Sequence, residues 1–274
     1  MAEARVETEE AADSQRAHSN PALAVWRLAQ FAAWTIFCHL AHLCARFTTR
    51  DPAERRRRAG LWTHRWLLGA ARISGIDIVI EGEPPASAVL LTPNHVTYLD
   101  VMAVGAATPT MFVSRADVQN WPIFGHIFNT SEHVGITRAD RRDVAKVNEK
   151  IGERFDARVP VCAFLEGTSG SGQEVMPFHA SLVQPAIERG VPVMPVGLRW
   201  EATVPGTSVM EDVAYWRQEH VIGPHLWRIL GLRGIRVKVV FGRPIAPGET
   251  DRKVLAAQVR ERVVALLEAT QARN

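Results

Sequence analysis

Apolar and polar positions along this chain change period several times, and each change marks an element. Residues 23–47 are apolar around most of a helical circumference, interrupted by Arg27, Gln30, His39 and His42. A bilayer-spanning helix needs about 20 mostly apolar residues, so this stretch can either span or lie in the interface. Residues 61–74 read as a short amphipathic helix, and residues 76–80 alternate as a strand that ends at Gly82, Glu83, Pro84 and Pro85. Short apolar runs bounded by Pro or Gly follow at 88–91, 111–113, 159–164 and 191–198, with a last strand over 235–241. Between them the spacing predicts helices over 99–107, 143–157, 181–189 and 251–270. Strands alternating with helices give an α/β fold: a mixed, largely parallel sheet flanked by helices, behind an N-terminal membrane-associated helical segment.

Length and charge refine this picture. A chain of 274 residues suits one substantial domain with an appendage. The boundaries read as a disordered tail over 1–20, membrane-associated helices with a basic cluster over 21–74, and the catalytic domain over 75–274. The tail carries Glu3, Glu7, Glu9, Glu10 and Asp13 with little to bury, and it lacks the basic start of a signal peptide. A formal charge of +3 is too small for a nucleic-acid binder. Its distribution matters more: Arg46, Arg50 and the run Arg55, Arg56, Arg57, Arg58 follow the apolar helix, a pattern suited to anionic headgroups on the cytoplasmic side. Cys38, Cys44 and Cys162 form neither a metal-ligand spacing nor an even disulfide framework, which suits a reducing compartment. His39 and His42 share a helix face but have no third ligand near in sequence, so no metal is expected.

The candidate chemistry begins at Asn94-His95-Val96-Thr97-Tyr98-Leu99-Asp100, directly after an apolar run. Five residues turn through about 140° of a regular helix, so His95 and Asp100 meet only if His95 sits on a turn and Asp100 lies one turn into the helix. Pro93 favours such a turn. The carboxylate then orients the imidazole and leaves its other nitrogen to take a proton from a substrate hydroxyl. Downstream, Gly135 precedes Arg138, Glu166-Gly167-Thr168 closes a buried strand, and Val191-Pro192-Val193-Met194-Pro195-Val196 forms a strand framed by prolines. Ligands of open α/β sheets bind at the carboxyl ends of strands, where these residues fall.

In order and spacing, these segments resemble the glycerolipid acyltransferase family over roughly residues 60–245. Asn94, His95 and Asp100 match its first block; Gly135 and Arg138 the second; Phe164, Glu166, Gly167 and Thr168 the third; and residues 191–196 the fourth. The segments 112–117 and 121–125 look like the link between the first two blocks. The resemblance implies transfer of a fatty acyl group from acyl-CoA or acyl-ACP to a lysolipid hydroxyl, with His95 as base, Asp100 as its orienting acid and no covalent intermediate. It implies an acceptor site at Arg138, Gly135, Glu166, Gly167 and Thr168, with Arg138 on the anionic group. No cofactor or metal is implied; the partners are membrane lipids and the thioester donor, and the location is a bacterial inner membrane with the catalytic domain facing the cytoplasm. The first reading of the acceptor is 1-acyl-sn-glycerol-3-phosphate, giving phosphatidic acid; lyso-ornithine lipid is the alternative. Leu165 and Ser169 stand where the family has Pro and Arg, and loss of that Arg removes a bidentate phosphate partner. A thioester hydrolase and an inactive lipid-binding module are the readings from other classes.

Overall fold

A computed structural model describes residues 19–116, 124–136, 141–215, 222–248 and 251–272. The tail up to residue 18, the link residues 117–123, Arg138 and Trp216 lie outside the described residues. Two long helices come first, α1 (Pro21–Phe47) and α2 (Pro52–Ser74). The second starts well before residue 61, because Asp51 caps it by accepting from Ala53 and Glu54 and Pro52 occupies its first position. It stops at Gly75, whose φ of 71° closes the helix in the left-handed region.

The strands are β1 (Ile76–Glu81), β2 (Leu90–Pro93), β3 (Met111–Arg115), β4 (Val134–Ile136), β5 (Val161–Ala163), β6 (Val193–Ala202) and β7 (Ile235–Phe241). They form one sheet in the order β1-β7-β6-β2-β5-β3-β4, parallel throughout except for the β6/β7 pair. The remaining helices are α3 (Leu99–Ala107), α4 (Phe124–Thr130), α5 (Arg141–Asp156), α6 (Gln184–Glu188), α7 (Ile222–Gly231) and α8 (Arg252–Gln271). Strand β4 was not expected, since three residues are too few to show alternation; α4 and α7 were not expected either. The expected helix over 181–189 is divided into a 3-10 turn, Ala180–Leu182, and the short α6.

Alternation along the strands builds two cores. On one face Leu91, Phe112, Cys162, Val196 and Leu198 pack with Leu67 of α2, Val104 of α3 and Ile229 of α7. On the other, Leu90, Val113, Val161, Ala163 and Val193 pack with Ile151 of α5, Ala186 of α6 and Val259 of α8. Adjacent residues such as Leu90 and Leu91 thus serve opposite layers, as the pleat requires.

The α1 helix is tied to the body along its length. Arg27 donates to the carbonyls of Leu230 and Leu232 at 3.1 and 2.6 Å, Trp34 Nε1 donates to Trp66 O at 3.0 Å, and Arg46 pairs with Glu132 at 2.8 Å. These anchors project from one side of the helix. Trp26, Ile36, Phe37, Leu40 and Phe47 are exposed, the last by 85%. At 100° per residue they fall within an arc of about 100° on the opposite side. Several arginines of the basic cluster also have acidic partners in the fold. Arg57 and Arg58 each pair with Glu54 at 2.9 Å, and Arg56 pairs with Glu153 at 2.7 Å. Helical spacing brings Glu54 within reach and α5 supplies Glu153, so part of the cluster's charge is paired within the fold.

Candidate active site

Strand β2 delivers the turn that carries His95. Its last residue, Pro93, still pairs with Val196 of β6, after which the Asn94 side chain takes over the ladder. The Asn94 amide accepts from Leu198 N–H at 2.7 Å and donates to Leu198 O at 3.0 Å, so it imitates one more backbone rung. His95 follows with both backbone groups engaged: its N–H donates to Glu166 Oε1 at 2.7 Å and its carbonyl accepts from Gly170 at 2.8 Å. The imidazole stacks on Phe164, centroids 4.1 Å apart and planes at 26°.

Asp100 sits in the first turn of α3, where a carboxylate is also favoured by the helix dipole. It is fully buried. Its Oδ2 accepts from His95 Nδ1 at 2.9 Å, Val96 N–H at 2.6 Å and Thr97 N–H at 2.9 Å, and its Oδ1 accepts from Trp200 Nε1 at 2.7 Å. Three of these partners are N–H groups that can only donate, so the oxygens act as acceptors and the proton between Asp100 and His95 is assigned to Nδ1. The Nε2 lone pair is left for a substrate, and the side chain of His95 is 19% exposed. The turn and helix expected from the spacing of His95 and Asp100 are both present.

The segment after β5 closes around this turn. Gly167 has φ 80° and its N–H meets Phe164 O at 3.2 Å, a conformation that a side chain would strain. Glu166 faces inward, with Oε2 accepting from Met176 N–H at 3.0 Å while Oε1 holds His95. Burial pushes its carboxyl up to about 7, against the pull of the Met176 and His95 amides. Thr168 is exposed beyond the glycine. Leu165 is buried in the second core, and the Ser169 hydroxyl donates to Tyr215 O. Tyr215 in turn donates its N–H to Val96 O at 3.0 Å, which seats an aromatic group of Tyr98, Tyr215 and His225 beside the His95 turn.

The structure therefore brings His95, Asp100, Glu166, Gly167 and Thr168 to one end of the sheet. Gly135 lies apart, in edge strand β4, three places from β2. At about 4.8 Å per strand that is roughly 14 Å across the sheet. Arg138, three positions on in the sequence, is outside the described residues. His42 Nε2 lies 3.1 Å from Thr130 O and His39 meets the ring of His126, both packing contacts between α1 and α4. Among the described residues no cluster of three or more His, Cys, Asp or Glu is arranged for a metal. Burial raises the Cys162 thiol well above its ordinary range, so it is a poor nucleophile. Sequence reasoning missed Trp200 altogether, because nothing in spacing links a residue to a carboxylate 100 positions away.

A family profile described as Acyltransferase matches residues 75–199. The chain is 29% identical over 205 residues to a 1-acyl-sn-glycerol-3-phosphate acyltransferase of Neisseria gonorrhoeae, covering 73% of this chain and 79% of that one. It is 30% identical over 210 residues to a lyso-ornithine lipid O-acyltransferase of Brucella abortus, covering 72% and 76%. A lyso-ornithine lipid O-acyltransferase of Pseudomonas aeruginosa is 29% identical over 242 residues, 88% of either chain. In fold, the chain is similar to the crystal structure of the 1-acyl-sn-glycerophosphate (LPA) acyltransferase of Thermotoga maritima, with a TM-score of 0.70 and 19% identity over 93% of this chain and 97% of that one.

Proposed function

This chain belongs to the glycerolipid acyltransferase family, and from that premise we propose that it transfers a fatty acyl group from a thioester donor to the free hydroxyl of a lysolipid. The observation that carries the reading is the His95 imidazole, oriented through Nδ1 by buried Asp100 and open at Nε2. Nε2 takes the hydroxyl proton as the acceptor oxygen attacks the thioester carbonyl. Asp100 stabilises the imidazolium that forms. The tetrahedral adduct collapses, the carbon–sulfur bond breaks, and the imidazolium returns its proton to the leaving thiolate. No acyl-enzyme is required, in keeping with the buried Cys162.

The acceptor we assign is 1-acyl-sn-glycerol-3-phosphate, and the product is phosphatidic acid. Arg138 holds the phosphate in this reading, which rests on the resemblance of its block. Lyso-ornithine lipid is the second reading, favoured by one observation: where the family places an Arg, Ser169 is bonded back to Tyr215 O and offers no cation. The donor is acyl-CoA or acyl-ACP. Both are cytoplasmic, which puts the catalytic face on the cytoplasmic side of the inner membrane. The exposed arc of α1, with Trp26, Phe37 and Leu40, lies in the interface rather than crossing it, because the opposite side is pinned to the domain. The deciding assay offers lysophosphatidic acid and lyso-ornithine lipid side by side to the purified enzyme, with each donor in turn. Faster turnover of lysophosphatidic acid is expected; a preference for lyso-ornithine lipid overturns the phosphate assignment and leaves the His95 chemistry standing.

A further inference from the structure

We propose that Trp200 is a positioning residue of the His95/Asp100 pair, holding the carboxylate at the one rotation that serves the base. Val196, Leu198 and Trp200 alternate along β6 onto the sheet face that carries α3. The register already places Val196 opposite Pro93 and clamps Leu198 to Asn94, so two residues further on the strand delivers the indole to the start of α3. There Nε1 donates to Asp100 Oδ1 at 2.7 Å, with Trp200 itself only 7% exposed.

The oxygen that the indole holds is not the one that faces the histidine. Oδ2 serves His95, Val96 and Thr97 together, while Oδ1 has Trp200 as its donor among the described residues. The indole N–H therefore fixes the carboxylate plane from the far side and keeps Oδ2 aimed at Nδ1. Indole is suited to this task because it donates and cannot accept, so it neither competes for the proton nor tolerates being left unpaired in a buried position. Without it, Oδ1 is a desolvated acceptor with no partner, and the plane of the carboxylate is held from the Oδ2 side alone.

This inference rests on His95 being the base. Its test replaces Trp200 in the full-length enzyme by benzothienylalanine, an isostere whose sulfur stands where the indole N–H was. A loss in kcat of roughly tenfold to a hundredfold is expected, the size of one charge-assisted hydrogen bond, with both Michaelis constants unchanged. The same replacement in an Asp100→Asn background should cost nothing further, because the indole acts through Asp100. Trp200→Phe should follow the isostere in kcat, with an added loss of stability from the smaller ring. Wild-type kcat in the isostere, a rise in the Michaelis constants instead, or losses that multiply in the double variant would each overturn the proposal. His95→Ala is the separate control: retained turnover there removes the base reading itself, whereas an inactive His95→Ala beside an unaffected isostere removes only the role of Trp200.

Discussion

Replacing Asp100 by Asn tests the oriented base through its charge. Asp100 offers two acceptor oxygens to four donors: three on Oδ2, and Trp200 on Oδ1. Asparagine has one oxygen and one NH2. If its oxygen takes the Oδ2 position, its NH2 confronts the Trp200 N–H; if it takes the Oδ1 position, the NH2 confronts three donors at once. The first arrangement preserves the turn, so the fold survives. What disappears is the negative charge beside the imidazolium. Two unit charges about 4 Å apart at an effective dielectric constant near 20 interact by about 4 kcal/mol. Because this attraction exists only once the proton has moved, it acts on kcat, and about 4 kcal/mol corresponds to roughly a thousandfold. Thiol release from acyl-CoA, checked against chromatographed lipid product, should show that fall with both Michaelis constants nearly unchanged. A loss of less than about tenfold, in a variant whose circular dichroism matches the wild type, would refute the electrostatic role of the carboxylate.

Other consequences follow from the surroundings of the pair. Glu166 titrates at about 7 in the fold against 4.5 ordinarily, so its contribution to stability is complete below about pH 4.5 and is lost as pH rises through 7. The shift is worth about 3 kcal/mol, and thermal unfolding at pH 5 and pH 8 should show wild type losing stability over this range more steeply than Glu166→Gln; parallel slopes would contradict it. Ile36→Glu with Leu40→Glu puts two charges on the exposed arc of α1, away from the Arg27, Trp34 and Arg46 anchors. Vesicle sedimentation should fall sharply while the helical content is kept, and unchanged pelleting would show that this face does not meet lipid.

The parts of this fold that were legible in the sequence are those encoded locally. The apolar runs that became β2, β5 and β6 carry their own period, and the spacing of His95 and Asp100 requires a turn followed by a helix. Edges moved where pairing overrides pattern: β2 runs on through Pro93 because β6 offers it a partner. The orientation of Glu166 was not legible. The sequence places it at a strand end, whereas the choice between substrate and scaffold depends on the His95 and Met176 amides that surround it. The ion pairs of the arginine run were not legible for a similar reason. Its own positive charge is plain, but Glu54 in the first turn of α2 and Glu153 on α5 pair with part of it once the helices are formed and packed. Trp200 belongs to the same class, a contact made only when β6 and α3 are assembled.

The most direct measurement is the rate of ester formation by purified His95→Ala, with lysophosphatidic acid as acceptor and acyl-CoA as donor, beside wild type at equal folded concentration. Product formation should fall to the uncatalysed background while the variant still sediments with vesicles and unfolds cooperatively. Turnover near that of wild type would contradict the central claim that His95 is the base.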